Sequence, residues 1–145
     1  MYLETTNNTQ TIIYQTALDI RRTVFIEEQH IPLSIEIDSL ENECLHAVLY
    51  TDTHQAIATA RMLPVNETTW KIQRVAVLKS YRGKKFGHTL LNEIIRLAKE
   101  KQMTGLILNA QQASIEFYKK LGFEEVGELF FEAAIPHQSM KRLLD

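Results

Sequence analysis

Hydrophobic and polar positions along the chain follow two periods, and the switches between them outline the elements. From Thr11 to Glu28 the apolar residues Ile13, Ala17, Ile20 and Val24 recur at helical spacing, which predicts an amphipathic helix there. Pro32 bars its continuation, because the ring and the missing N–H do not fit a helix interior. Ser34–Glu43 is acidic and without clear period, and reads as a loop with at most one short helical turn. Three strand-like runs follow, Leu45–Tyr50, Ala56–Leu63 and Trp70–Val77, separated by the turn-forming segments Asp52–Gln55 and Pro64–Glu67. Connections this short imply an antiparallel meander. The segment Phe86–Lys101 then carries Phe86, Leu90, Leu91, Ile94, Leu97 and Ala98 on one stripe, the pattern of a helix lying on a core. A short strand at Leu106–Asn109, a second helix at Ala113–Leu121 ended by Gly122, and final strands at Phe123–Gly127 and Met140–Leu144 complete the order. This order predicts an α/β protein with a central sheet flanked by helices. No repeat or linker interrupts 1–145, so a single domain is expected.

Composition restricts function more than fold. The formal net charge of -2 leaves no cationic excess for nucleic acid, whose phosphates need clustered Lys and Arg. No apolar stretch approaches the ~20 residues that span a bilayer, and Met1–Asn7 lacks the basic and apolar regions of an export signal. Cys44 is the only cysteine, which rules out an intramolecular disulfide and fits a reducing, cytoplasmic setting. It lies in the apolar run Cys44–Tyr50, where an inert buried thiol is the expected state.

The segment Val75–Leu91 is the most informative. A β-branched strand runs into the basic loop Arg82-Gly83-Lys84-Lys85-Phe86-Gly87-His88, which opens the strong helix. N–H groups at a helix start have no intrahelical partner, and the helix dipole favours an anion there. Gly83 and Gly87 allow close approach of a phosphate to the main chain. A Walker loop is excluded, because three residues, not four, separate the glycines and His88-Thr89 replaces Lys-Ser/Thr. A Rossmann fingerprint is excluded too, since the Gly-x-Gly-x-x-Gly triplet is missing and an antiparallel meander precedes the loop. On composition alone, a solvated basic helix start fits as well as an anion site.

In this position the loop resembles motif A of the GNAT superfamily of acyl-CoA N-acyltransferases: Arg82, Gly83, Lys84 and Gly87 match the Arg-Gly-Lys-x-x-Gly form, with Lys85 where a glycine is usual. The segment Ala113-Ser114-Ile115-Glu116-Phe117-Tyr118-Lys119-Lys120-Leu121-Gly122-Phe123 resembles motif B. The flanks Val24–Gln29, Glu36–Asp38, Ala58–Arg61, Leu108–Gln111 and Ile135–His137 are similar to the ElaA-like, or YjcF-like, branch, so the likeness extends from about Asp19 to Met140. The resemblance implies a GNAT fold: a mixed, mostly antiparallel sheet flanked by helices and splayed between its fourth and fifth strands, here Trp70–Val77 and Leu106–Asn109. It implies acetyl-CoA as co-substrate, held by Val75, Val77, Arg82, Gly83, Lys84, Lys85, Gly87, His88, Asn109, Ser114 and Tyr118, with no metal.

The implied reaction is direct attack of a small-molecule primary amine on the thioester in a ternary complex. The N–H of Val77, or of a neighbour on its strand, is the candidate donor to the thioester oxygen. Tyr118 is the candidate acid for the leaving thiolate. Glu28 and His137 are the candidate bases, beside a water chain. Glu36 and Asp38 are placed to attract a cationic amine, and Arg61 and Arg74 to hold a substrate anion or to form ordinary ion pairs. An amino sugar phosphate is the alternative acceptor, and a non-catalytic CoA-binding sensor the alternative class. No nucleic-acid or membrane partner is expected, and the oligomeric state, a homodimer included, stays open.

Overall fold

Seven strands form one sheet in the order β1-β2-β3-β4-β5-β7-β6 in the computed structural model, which describes residues 1–145 except the side chain of Ile35. The strands are β1 (Tyr2–Thr6), β2 (Leu45–Tyr50), β3 (Ala56–Pro64), β4 (Thr69–Val77), β5 (Gly105–Gln111), β6 (Glu124–Glu132) and β7 (Ile135–Leu143). All neighbours are antiparallel except β4 and β5, which are parallel. That parallel pair requires a crossover, supplied by α3 (Phe86–Glu100). Strand β1 escapes the sequence pattern because it is a five-residue edge strand, held by β2 and by Tyr2 stacking on Tyr50 at 5.2 Å.

One face of the sheet carries α1 (Ile12–Arg21), whose first turn is capped by the Thr11 side chain accepting from the Tyr14 N–H. The helix does not stop at Arg21 but widens into π-helical turns over Arg22–Glu28, where Gln29 N–H bonds five residues back to the Val24 carbonyl. Ala17, Ile20, Val24 and Phe25 pack there on Val48 and Ala76. The loop read at Ser34–Glu43 contains α2 (Leu33–Glu36) and a single 3-10 turn at Glu41–Glu43. On the other face Leu90, Leu91, Ile94, Ile95 and Ala98 of α3 are buried in the larger core. The second predicted helix divides into a 3-10 turn at Gln112–Ser114 and α4 (Ile115–Lys120).

Two irregularities in β4 prepare the site. Its pairing with β5 covers only Thr69–Ile72 against Gly105–Leu108, and beyond that the two strands part. On its other edge, Arg74 and Val75 stand opposite the single residue Ala60, a β-bulge with Arg74 in the left-handed region at φ 57. A bulge bends and twists its strand and inverts the alternation of faces. Trp70 and Ile72 pack in the α3-side core before it; afterwards Val75 and Val77 do so, while Ala76 turns to the α1 side. The β6–β7 hairpin is longer than its sequence suggests, because β6 is an exposed edge without a clean apolar face.

Candidate active site

A cleft of about 740 Å³ passes through the opening between β4 and β5. At one end lies the α3 entrance, where Arg82, Gly83, Lys85, Gly87 and His88 line the wall. Gly83 has φ +78, and Lys85, directly before α3, is also left-handed at φ 65. The loop therefore keeps the backbone form that glycine would favour at the Lys85 position, with a strained side-chain-bearing residue in it. Gly87 is needed for a different reason: a Cβ there would stand 3.3 Å from the Phe117 ring. Lys84 belongs to the same loop but is not part of the cleft wall, whereas Val75, Val77, Asn109, Ser114 and Tyr118 all line it. Asn109 accepts through Oδ1 from the Ser139 hydroxyl at 2.9 Å.

The hydrogen-bond pattern fixes the direction of the Val77 amide. Leu78 N–H donates to the Ile57 carbonyl at 3.0 Å, so Ile57 and Leu78 form a hydrogen-bonded pair. Alternation then makes the adjacent pair Ala58–Val77 a non-bonded one. The N–H and C=O of Val77 thus point away from β3, toward the opening. The carbonyl there accepts from Arg82 Nε at 2.9 Å, in keeping with that orientation.

Tyr118 and His137 stand on opposite faces of the sheet. Tyr118, 7% exposed, packs in the α3-side core with Phe117 and Phe123 edge-on to its ring. Burial pushes its phenol well above the usual tyrosine value, so it stays protonated and able to donate. On β5, Leu106, Leu108 and Ala110 face that core, which leaves Asn109 and Gln111 on the α1 side. His137 is paired with Gln111 and shares its face. Its Nδ1 lies 2.7 Å from the Ile135 carbonyl, so Nδ1 carries the proton and Nε2 in the neutral ring is the acceptor. Nε2 is 3.8 Å from the Glu132 carboxylate.

The remaining candidates occupy different positions. Glu28 lies outside the cleft lining, engaged with both Arg82 Nη atoms at 2.5 and 2.8 Å. Hydrogen bonds from Arg82 hold its carboxyl below the usual glutamate range, the wrong direction for a base. Arg61, read from sequence as either a substrate-anion ligand or an ion-pair partner, is fully buried and committed to Asp38, Glu41 and Gln73. Asp38 lies outside the lining as well, and the Arg61 guanidinium holds its carboxyl far below the usual range. Glu36 and Arg74 do line the cleft, but Glu36 is clasped by Arg21 at 2.5 Å and Arg74 at 3.0 Å. Cys44 is buried and burial raises its thiol, away from the thiolate form. Among the described residues no group of three or more His, Cys, Asp or Glu side chains is placed to hold a metal.

Sequence reasoning missed the heart of this ion network. Arg21, 1% exposed, and Glu41 tie together α1, α2 and β3. A signal was present: Arg21 continues the buried stripe Tyr14, Ala17, Leu18 at helical spacing, and a charge on an apolar stripe announces a buried partner. Gln73, Gln111 and Glu132 also line the cleft. They come from three different strands, and nothing in their local sequence marks them.

The fold and this cleft define an acyl-CoA N-acyltransferase architecture, and sequence comparison agrees. The acetyltransferase (GNAT) domain family matches residues 10–144, and the chain belongs to that family. The uncharacterized N-acetyltransferase YjcF of Bacillus subtilis is 36% identical over 127 residues, spanning 87% of this chain and 89% of the relative. The protein ElaA of Escherichia coli is 30% identical over 129 residues, spanning 86% and 84%. The crystal structure of an acyl-CoA N-acyltransferase from Pseudomonas aeruginosa superposes with a TM-score of 0.83 at 30% identity, over 98% of this chain and 99% of that one.

Proposed function

We propose that this protein transfers the acetyl group of acetyl-CoA to the primary amine of a small molecule by direct attack within a ternary complex. The observation that carries the proposal is the opening through the sheet: a protonated phenol borders it on one face, an imidazole acceptor on the other, and a backbone N–H aims into it between them. The pyrophosphate lies at the α3 entrance, among the amides following Arg82 and beside Lys85. The pantetheine arm enters the opening from the α3 side, with Asn109 within reach. The thioester oxygen accepts from Val77 N–H, a fixed donor placed where negative charge develops.

The amine approaches from the α1 side, where Glu132 attracts the ammonium form and His137 Nε2 accepts its proton. Nitrogen then attacks the thioester carbon, the C–S bond breaks, Tyr118 supplies a proton to the departing sulfur, and the second proton lost from nitrogen as the amide forms restores the phenol through solvent. Cys44 takes no part. Arg61 and Asp38 drop out as substrate ligands, because they satisfy each other beneath the cleft.

The test is thiol release from acetyl-CoA across polyamines, amino acids, amino sugars, amino sugar phosphates and histone-like peptides, with the acetylated product identified by mass spectrometry. Turnover on at least one small amine, exceeding that on the peptides, is expected. Binding of CoA without release of thiol on any amine would make the protein a sensor and overturn the proposal.

A further inference from the structure

We infer that the buried chain Arg21–Glu36–Arg74 is a positioning device: it holds the β4 bulge in its left-handed form and so keeps the Val77 N–H directed at the thioester. The inference deepens the proposed acetyl transfer and rests on that reading of the cleft.

Arg74 at φ 57 is a non-glycine residue in a conformation where its Cβ crowds the following carbonyl. Such a residue stays there only when its surroundings hold it. The holding contacts are explicit. Arg74 Nε lies 3.0 Å from the Glu36 carboxylate and donates to the Glu36 main-chain carbonyl at 3.1 Å, while Nη2 reaches Asp38 at 3.3 Å. Glu36 is itself held in place: it is 2% exposed, Arg21 Nε meets its carboxylate at 2.5 Å, and Arg21 Nη2 donates to its carbonyl at 2.8 Å. Arg21 is anchored in turn by Glu41 at 2.7 and 3.0 Å, and Glu41 also takes Arg61 at 2.5 Å. The guanidinium groups of Arg21, Arg61 and Arg74 thus face the carboxylates of Glu36, Asp38 and Glu41, which balances the charge. A neutral network of this kind supplies rigidity and no surplus cation for a substrate anion.

The bulge matters because side chains and amides alternate along a strand. Without the extra residue, every position after Arg74 would shift by one. Val77 would take a hydrogen-bonded position, and its N–H would turn toward β3 and away from the opening. Distant ion pairs therefore bear on the reacting carbonyl without touching it.

The test compares Arg74→Gly with Arg74→Ala. Both remove the guanidinium, but only glycine adopts the left-handed form freely. Calorimetry gives Kd for acetyl-CoA and for CoA, and thiol release with an amine accepted by the wild type gives kcat and KM. The wild type should prefer acetyl-CoA by about fivefold, the worth of one net hydrogen bond to the thioester. Arg74→Ala should erase that preference and lower kcat about tenfold or more, with CoA affinity unchanged. Arg74→Gly should lose clearly less of both. Glu36→Gln should lower kcat in the wild-type background and have little further effect in the Arg74→Gly background, a comparison that stands even if Arg74→Ala does not fold.

Equal losses for Ala and Gly at position 74, or a loss confined to the KM of the amine, would make Arg74 a substrate ligand and overturn the inference. So would a Glu36→Gln effect of the same size in both backgrounds. A wild type that binds CoA but turns over no amine defeats the acetyl-transfer reading, and the inference with it. A wild type that turns over while Ala and Gly are indistinguishable defeats the inference alone.

Discussion

Tyr118→Phe isolates the leaving-group step, because the structure separates the hydroxyl from the packing. The ring is held edge-on by Phe117 and Phe123 at centroid distances of 5.0 and 5.8 Å, and phenylalanine keeps those contacts. Among the described residues no protein group bonds the hydroxyl, so its removal orphans no partner, and stability should change by less than about 0.5 kcal/mol. The effect on catalysis is larger. Positioned acids contribute about 10²–10⁴ in rate when their pKa is near the working pH. Burial raises the Tyr118 phenol, which makes it a reluctant proton donor and places its contribution at or below the low end of that range. A fall in kcat of roughly 10- to 100-fold follows, about 1.4–2.7 kcal/mol of barrier. Thiol release measures kcat, and calorimetry should show acetyl-CoA affinity almost unchanged. An acyl donor with a better leaving group should lose less, since it needs less assistance. Weakened acetyl-CoA binding at unaltered kcat would refute the reasoning and make Tyr118 a packing element.

Lys85→Gly should relieve the left-handed residue before α3 and raise Tm by about 2–4 °C, while the lost cation weakens acetyl-CoA binding severalfold; a lowered Tm contradicts the strain argument. Gly87→Val pushes a side chain into the Phe117 ring, so it should destabilise by about 1–3 kcal/mol, read from chemical denaturation, and lower kcat by displacing the neighbour of Tyr118. Gly83→Val meets open space but keeps the unfavourable φ, so a smaller stability loss, about 1–2 kcal/mol, is expected. Asp38→Asn tests the network by pH. The folded-state pKa of Asp38 is depressed, so its stabilisation is complete above the unfolded value near ~3.9 and is lost as pH falls below it. The variant should melt lower than wild type at pH 7, and the gap should shrink in acid; a constant gap down to the lowest pH refutes the linkage.

Much of the fold could be read from local sequence, since the periods of helix and strand are local properties. The core strands β2, β3 and β4, the helix α3 and the basic loop before it follow from alternation, stripe and turn chemistry, and the motif likeness located Tyr118 and the α3 entrance. Strand β1 and the long β6 were not legible, because edge strands carry little alternation and exist through their neighbours. The direction of the Val77 amide depends on one extra residue in β4, and a bulge leaves no mark in composition. The fates of Arg61 and Arg74 were open for the same reason: an arginine on a strand looks alike whether it meets a substrate or a carboxylate from another element. The tertiary structure decided those questions by bringing α1, the α2 segment and β3 together around Glu41, 20 residues from Arg21 and 20 from Arg61 along the chain. Such pairings are set by burial of charge across elements, because a buried guanidinium must find its carboxylate wherever the packed chain supplies one.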